Sequence, residues 1–477
     1  MKLFIADPAL SSFQGHHFSL TRTFSEAASK HDLRIIWLVS KRLPHGDYNL
    51  SGNVTIERAF SEGTYDAYAQ AKKSASLIQP PPKSRLYRKA QVLYMRMPAP
   101  LRIMAKTVLR RIKPFDRLIS ATAQSHAPQA PTKRQHEELM HTLKKYPYSP
   151  EDSIFFHTSD AQTYFTIVEL FVKSLPPEQW HTLPSLHLST PYDEGIMPHN
   201  KTTITAATSI RYLRSLNLID RQVFLHAEND LLAEHLSQQW SAPVKPLFIP
   251  QSPLPGEAQA RPTRAITFSY LGAAREEKGF IYLAGAIEEF LAACKRDDIR
   301  FELQASPQIV GYAPAIKAAV DRLMSISDSR LHIITRPQSP ADYDAALSRS
   351  DVLLLCYDPS RYAVRSSGII FEALANGKIA ITTEATFPSH IAQEAGLSVS
   401  YLSNSDFINC IMKIADNYDH YQKNAQARSR RFLEEVSPDK FFMDIRSGRA
   451  SAHSFEEQQS TAIPAELPLG TPYRKLI

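Results

Sequence analysis

Residues 357–378 read Tyr-Asp-Pro-Ser-Arg-Tyr-Ala-Val-Arg-Ser-Ser-Gly-Ile-Ile-Phe-Glu-Ala-Leu-Ala-Asn-Gly-Lys, between the apolar runs Asp351–Cys356 and Ile379–Thr382. Each flanking run is short, continuous and rich in branched aliphatics, the pattern of a strand buried on both faces. Between them a polar loop passes into a helix opened by the small residues Ser366, Ser367 and Gly368. Strand, helix and second buried strand make one crossover unit, which implies a parallel sheet covered by helices. The first-turn amides at Ser366–Gly368 have no intrahelical acceptor and are placed to receive an anion. Glu372, one turn on, can accept hydrogen bonds from sugar hydroxyls. The plainer reading of the same residues is that Ser366 caps the helix and Glu372 faces solvent.

The same alternation extends in both directions. Upstream it gives strands at Ile266–Leu271, Arg300–Gln304 and Leu331–Ile334, and helices at Gly279–Ala293, Ala313–Met324 and Ala341–Leu347. At the carboxyl end of the first of these strands stands Tyr270-Leu-Gly-Ala-Ala-Arg-Glu-Glu-Lys-Gly-Phe280, where Gly272 ends the strand and a turn presents Arg275 and Lys278. Cations beside a helix N-terminus suit a phosphate-bearing ligand. A solvated turn is the alternative.

The first half opens in the same way, with a strand at Leu3–Ala6, a helix over Phe18–Lys30 and a buried strand at Leu33–Val39. Further strands are read at Ile154–His157, Pro184–Leu188 and Arg221–His226. Pro243–Pro262 holds six prolines and reads as an interdomain linker. The chain therefore divides into 1–248, 249–446 and a polar tail at 447–477, with a basic insertion at about 67–135. At 477 residues it has room for two such domains.

With these motifs in place, the second half resembles the C-terminal domain of the retaining GT-B glycosyltransferases of the family 4 type, over roughly residues 266–445. Gly272, Glu277, Lys278 and Gly279 match a Gly-Arg-x-x-x-Glu-Lys-Gly loop, and Glu372, Ala373, Ala375 and Gly377 match the end of a Glu-x7-Glu element. The resemblance implies a GT-B architecture: two Rossmann-like doubly wound parallel-sheet domains facing a central cleft. It implies that Lys278 and the Ser366–Gly368 amides hold the diphosphate of a nucleotide sugar and that Glu372 holds the ribose. Two positions depart from it. Ala273 replaces the usual Arg, which passes the second positive charge to Arg275 or Arg365. Val364 replaces the first Glu, a usual acceptor for the donor sugar's hydroxyls. An Arg-x-Ser-Gly variant in similar sequences resembles Arg365–Gly368 here.

In the first half, Gly15 and His16 stand where the family has a glycine-bearing loop near the donor phosphate, and His157 stands where it has an active-site His. A lone strand-end His is otherwise more often structural. Tyr192 and Asp193 are read as an acceptor-side pair, and Glu228 and Asn229 as weaker candidates. The implied reaction is transfer of a sugar, in the hexosyltransferase class, from a nucleotide diphosphate sugar to a hydroxyl of a glycan or lipid-linked intermediate, with retention. No cofactor is expected. The one Asp-x-Asp, Asp342-Tyr343-Asp344, lies within an expected helix, so no metal site is assigned. The competing reading is a non-catalytic GT-B protein that binds a nucleotide sugar or serves as a scaffold, motivated by Ala273 and Val364.

Charge is unevenly placed. Between Ala67 and Phe115 lie twelve Lys and Arg and no acid, whereas the rest has 43 basic against 48 acidic residues. Leu101, Met104, Val108 and Ile112 recur there at helical spacing, with Arg102, Lys106, Arg110 and Lys113 turned elsewhere. This reads as an attachment surface for an anionic membrane, with an anionic acceptor or a plain solvated insertion as alternatives. Tyr87 and Tyr94 make no regular stacking platform, so nucleic acid is not an expected partner. Three well-separated cysteines, Cys294, Cys356 and Cys410, suggest no disulfide framework. With no signal-like or membrane-spanning run, the expected location is cytoplasmic, peripheral on the inner face of the membrane.

Overall fold

The computed structural model describes residues 1–11, 33–46, 50–61, 135–193, 205–254, 265–306 and 312–446, with parts of 23–31. The roles expected of Gly15, His16, the basic insertion with Arg102, Lys106, Arg110 and Lys113, and the tail at 447–477 lie outside the described residues.

The first sheet holds β1 (Lys2–Asp7), β2 (Arg34–Ser40), β3 (Val54–Phe60), β4 (Ser153–Phe156), β5 (Ser185–Thr190), β6 (Val223–Ala227) and the two-residue β7 (Lys245–Pro246). Their spatial order is β3-β2-β1-β4-β5-β6-β7, and every pairing is parallel. Helices α1 (Gln135–Lys145), α2 (Ala161–Glu169), α3 (Ala206–Ser215) and α4 (Asp230–Trp240) belong to this half. The side chains of β1 and β2 alternate between two apolar clusters. Phe4, Ala6, Ile36 and Leu38 join one, and Leu3, Ile5, Ile35 and Trp37 the other. A sheet with apolar residues on both faces must be covered on both, which is why these strands read as continuous apolar runs.

The second sheet holds β8 (Ile266–Tyr270), β9 (Ile299–Gln304), β10 (Leu331–Ile334), β11 (Val352–Leu355), β12 (Ile379–Thr383) and β13 (Gly396–Val399), ordered β10-β9-β8-β11-β12-β13. Its helices are α5 (Phe280–Ala293), α6 (Pro314–Met324), α7 (Pro340–Arg349), α8 (Gly368–Ala375), α9 (Asn404–Asp416) and α10 (Tyr418–Glu435), with short turns of helix at Pro359–Tyr362 and Phe387–Ile391. In each sheet the strand order reverses once, between β1 and β4 and between β8 and β11. Ligands of open parallel sheets bind beyond the carboxyl ends of strands at such reversals.

Two expectations need correction. The proline-rich stretch is not all linker: Lys245–Pro246 pairs with β6, and Leu247 and Ile249 are buried against the first domain. The helical stretch at 438–446, assigned by sequence to the second domain, packs on the first. Phe441, Phe442 and Ile445 are buried with Phe24, Trp37 and Phe155, and the Phe441 ring lies 4.9 Å from that of Phe24. The sequence pattern also gives no sign of β3 and β13, an edge strand of each sheet, where fewer residues are buried than in the central strands.

Candidate functional site

The reversal between β8 and β11 gathers the two motifs at one place. Past Tyr270 the chain turns through Gly272, at φ 99°, and Gly279, at φ 70°. A Cβ on Gly279 would lie 1.9 Å from the Cys356 carbonyl oxygen, so only glycine lets this loop pass the end of β11. The Asp358 amide then donates to the Glu277 carbonyl at 3.0 Å, tying the two loops together. Gly272 is tied to the neighbouring strand. Its amide donates to Gln304 Oε1 at 2.6 Å, so it is already engaged by the end of β9.

Three cations converge here. Lys278 Nζ lies 5.4 Å from the centre of the Tyr357 ring, and Tyr357 in turn shares a 3.1 Å hydrogen bond with Ser367 at the start of α8. Arg365 stacks between Tyr362, at 5.1 Å, and Tyr192 of the first domain, at 6.0 Å. Arg275 pairs at 3.7 Å with Glu277. Among the described residues, neither Lys278 nor Arg365 forms an ion pair with a carboxylate. Burial, followed by the charges of Arg275 and Arg365, lowers the Lys278 ammonium to about 7. An amine lowered by burial and by neighbouring cations is a candidate for binding an anion. Ser366 and Ser367 are nearly buried and open α8, whose N-terminal amides add to the same positive field.

Glu372 is only partly exposed, rather than a surface residue. Burial raises its carboxyl to about 7, opposed by a hydrogen bond from the Tyr343 hydroxyl and by Lys278. Tyr343 is the middle residue of the Asp-x-Asp noted in the sequence. That segment is helical as expected, within α7, but its tyrosine serves the site.

The first domain meets this cluster from across the cleft. Asn229 Nδ2 donates to the Val364 carbonyl at 3.0 Å, and the Ser366 hydroxyl donates to Glu228. Val364 packs against the first domain's apolar cluster. The acceptor-side pair separates: Tyr192 faces Arg365, whereas Asp193 pairs with His235 of α4 at 3.1 Å. His157 follows β4 at the first sheet's reversal, 1% exposed, with Nδ1 3.2 Å from Thr158 Oγ1 and 3.9 Å from Asp7 at the end of β1. The sequence reading did not use Tyr343, Tyr357, Tyr362 or Gln304. Their side chains signal nothing without partners from other elements.

No family model matches the chain, and no curated protein matches it. Solved structures do. Sucrose-phosphate synthase from Thermosynechococcus elongatus aligns over 96% of this chain and 99% of its own, with a TM-score of 0.55 at 12% identity. Trehalose-6-phosphate synthase OtsA gives the same coverage and TM-score at 13% identity. HepE of Anabaena, solved in complex with UDP, aligns over 96% of this chain and all of its own, with a TM-score of 0.51 at 10% identity. Two parallel-sheet domains in this arrangement decide the architecture. The fold is GT-B. In this GT-B chain the cation cluster lies at the second sheet's reversal, and no described helix is long and apolar enough to cross a membrane.

Proposed function

We propose that this chain is a glycosyltransferase that moves a sugar from a nucleotide diphosphate sugar to a hydroxyl acceptor, with retention. The observation that carries the reading is the cluster of Arg275, Lys278 and Arg365 at the opening of α8, with the Lys278 ammonium lowered to about 7 by burial and its cationic neighbours. Loss of a nucleoside diphosphate concentrates negative charge on the departing oxygen. Preorganised cations and helix amides in a partly closed cleft stabilise that charge more strongly than water does. Side-chain cations at the diphosphate support transfer without a metal ion. Glu372, oriented by Tyr343, is suited to accept hydrogen bonds from ribose hydroxyls. His157 is assigned to the donor-sugar side of the cleft, held by Thr158 and Asp7. No side chain is assigned as a covalent nucleophile.

HepE was solved with UDP, and also with UDP and glucose, so UDP-sugars head the donors to test. Titration with UDP, GDP and ADP identifies the nucleotide, and release of free nucleoside diphosphate from UDP- and GDP-sugars reports turnover. A chain that binds a nucleotide sugar but never releases the diphosphate, with glycan and lipid-linked acceptors supplied, would be a binding subunit instead. Unchanged turnover in Lys278→Ala, with donor and acceptor saturating, would refute the site assignment.

A further inference from the structure

The first domain grips three consecutive residues of the loop before α8. Asn229 holds the Val364 carbonyl, Tyr192 faces the Arg365 guanidinium, and Glu228 accepts from the Ser366 hydroxyl. Glu228 and Asn229 directly follow β6, so both stand at the carboxyl end of the first sheet, across the cleft from the cations. The role of Asn229 is structural. Its Oδ1 caps α4 by accepting from the Leu232 amide at 2.8 Å while its Nδ2 holds the Val364 carbonyl. Glu228 brings a half-buried carboxylate to the rim of an anion site.

A carboxylate there repels a diphosphate. It favours the part of a donor that is uncharged and carries hydroxyl donors. In the loop itself, the position two residues before Ser366 is Val364, whose side chain is committed to apolar packing on the first domain and offers no acceptor. We propose that Glu228 is a specificity-determining residue that accepts hydrogen bonds from hydroxyls of the transferred sugar, with Ser366 fixing the direction of its carboxylate. This rests on the donor-site reading above and deepens it: the sugar is read from the first domain, and the nucleotide diphosphate from the second.

The test uses the full chain with Glu228→Gln and Glu228→Ala. UDP, GDP and ADP affinities are measured by titration, and nucleoside diphosphate release is followed with UDP-glucose, GDP-mannose and ADP-glucose. Both variants are expected to bind the preferred nucleoside diphosphate within about twofold of wild type, because that ligand has no transferred sugar. Their kcat/KM for the sugar donor is expected to fall roughly 10- to 100-fold, the range for losing a charged hydrogen-bond partner. A mere tie between domains predicts otherwise, since Gln still accepts from Ser366 through its amide oxygen. Wild-type turnover in Glu228→Gln therefore overturns the proposal, as does a loss of nucleoside diphosphate affinity as large as the loss in kcat/KM. If the wild-type chain binds none of the three diphosphates, the donor-site reading fails first and takes the proposal with it.

Discussion

Lys278 and Glu372 carry opposite charges, yet burial brings both to about 7. A bound diphosphate favours the ammonium, so binding at pH 7–8 is expected to take up protons and to weaken as pH rises above 7, by at most about tenfold per unit. A ribose hydroxyl favours the carboxylate, so binding is expected to weaken again as pH falls below 7. The resulting optimum near neutrality can be measured by calorimetric titration of UDP or GDP in buffers of different ionisation enthalpy. Tyr343→Phe removes the hydrogen bond that pulls the Glu372 carboxyl down. The acidic side of the profile should then move to higher pH, with the alkaline side unchanged. Lys278→Ala is expected to weaken diphosphate binding roughly 10- to 100-fold, as befits a charge-assisted contact.

At the scale of elements, the site depends on loops that pass one another at backbone contact. Gly279 has a left-handed φ and no room for a Cβ against Cys356. Gly279→Ala combines a conformational penalty with a clash and should cost about 2–4 kcal/mol, read as a lowered midpoint in chemical denaturation. By contrast Gly285, within α5, has open space for an added methyl and an ordinary φ, so Gly285→Ala should hold or raise stability by up to about 1 kcal/mol. Helix α10 secures the far end of α8. Gly377 turns the chain at φ 59°, Ser429 donates to the Ala375 carbonyl at 3.1 Å, and Phe432 stacks on Phe371 at 5.9 Å. The C-terminal end of α8 is thus anchored by a helix well downstream in sequence.

Over the whole molecule, the chain crosses between domains more than once. After the second sheet is complete, the stretch at 438–446 returns to the first domain and buries Phe441 and Phe442 beside Trp37. Phe441→Ala should cost about 3–5 kcal/mol of first-domain stability, reported by fluorescence of the buried Trp37. Further ties hold the domains together: the rings of Phe248 and Phe371 lie 6.3 Å apart, and Asp230 pairs with His390 at 3.6 Å. The basic segment belongs to this scale as well. We propose that it docks the chain on anionic membrane, so the protein should sediment with anionic vesicles at low salt and be released as salt rises. Binding that survives neutralising Arg102, Lys106, Arg110 and Lys113 together would refute this.

The second domain is legible in the sequence because its strands are buried on both faces and its loops carry glycines that backbone geometry demands. Apolar runs, crossover spacing and the positions of Gly272, Gly279, Lys278 and Glu372 are local features, and they put the two motifs beyond buried strands, at or just inside the helices that follow, without knowledge of any long-range contact; that those strands flank a reversal of order emerges only in the assembled sheet. What tertiary structure decided were partnerships between distant residues. Tyr343 meets Glu372, Gln304 takes the Gly272 amide, and Glu228 reaches Ser366 across 138 residues of sequence. The return of 438–446 to the first domain is of the same kind. Periodicity shows that a face is apolar or that a side chain is polar, but a contact also depends on the path of the chain between its partners. That path is fixed only when both sheets and their helices pack.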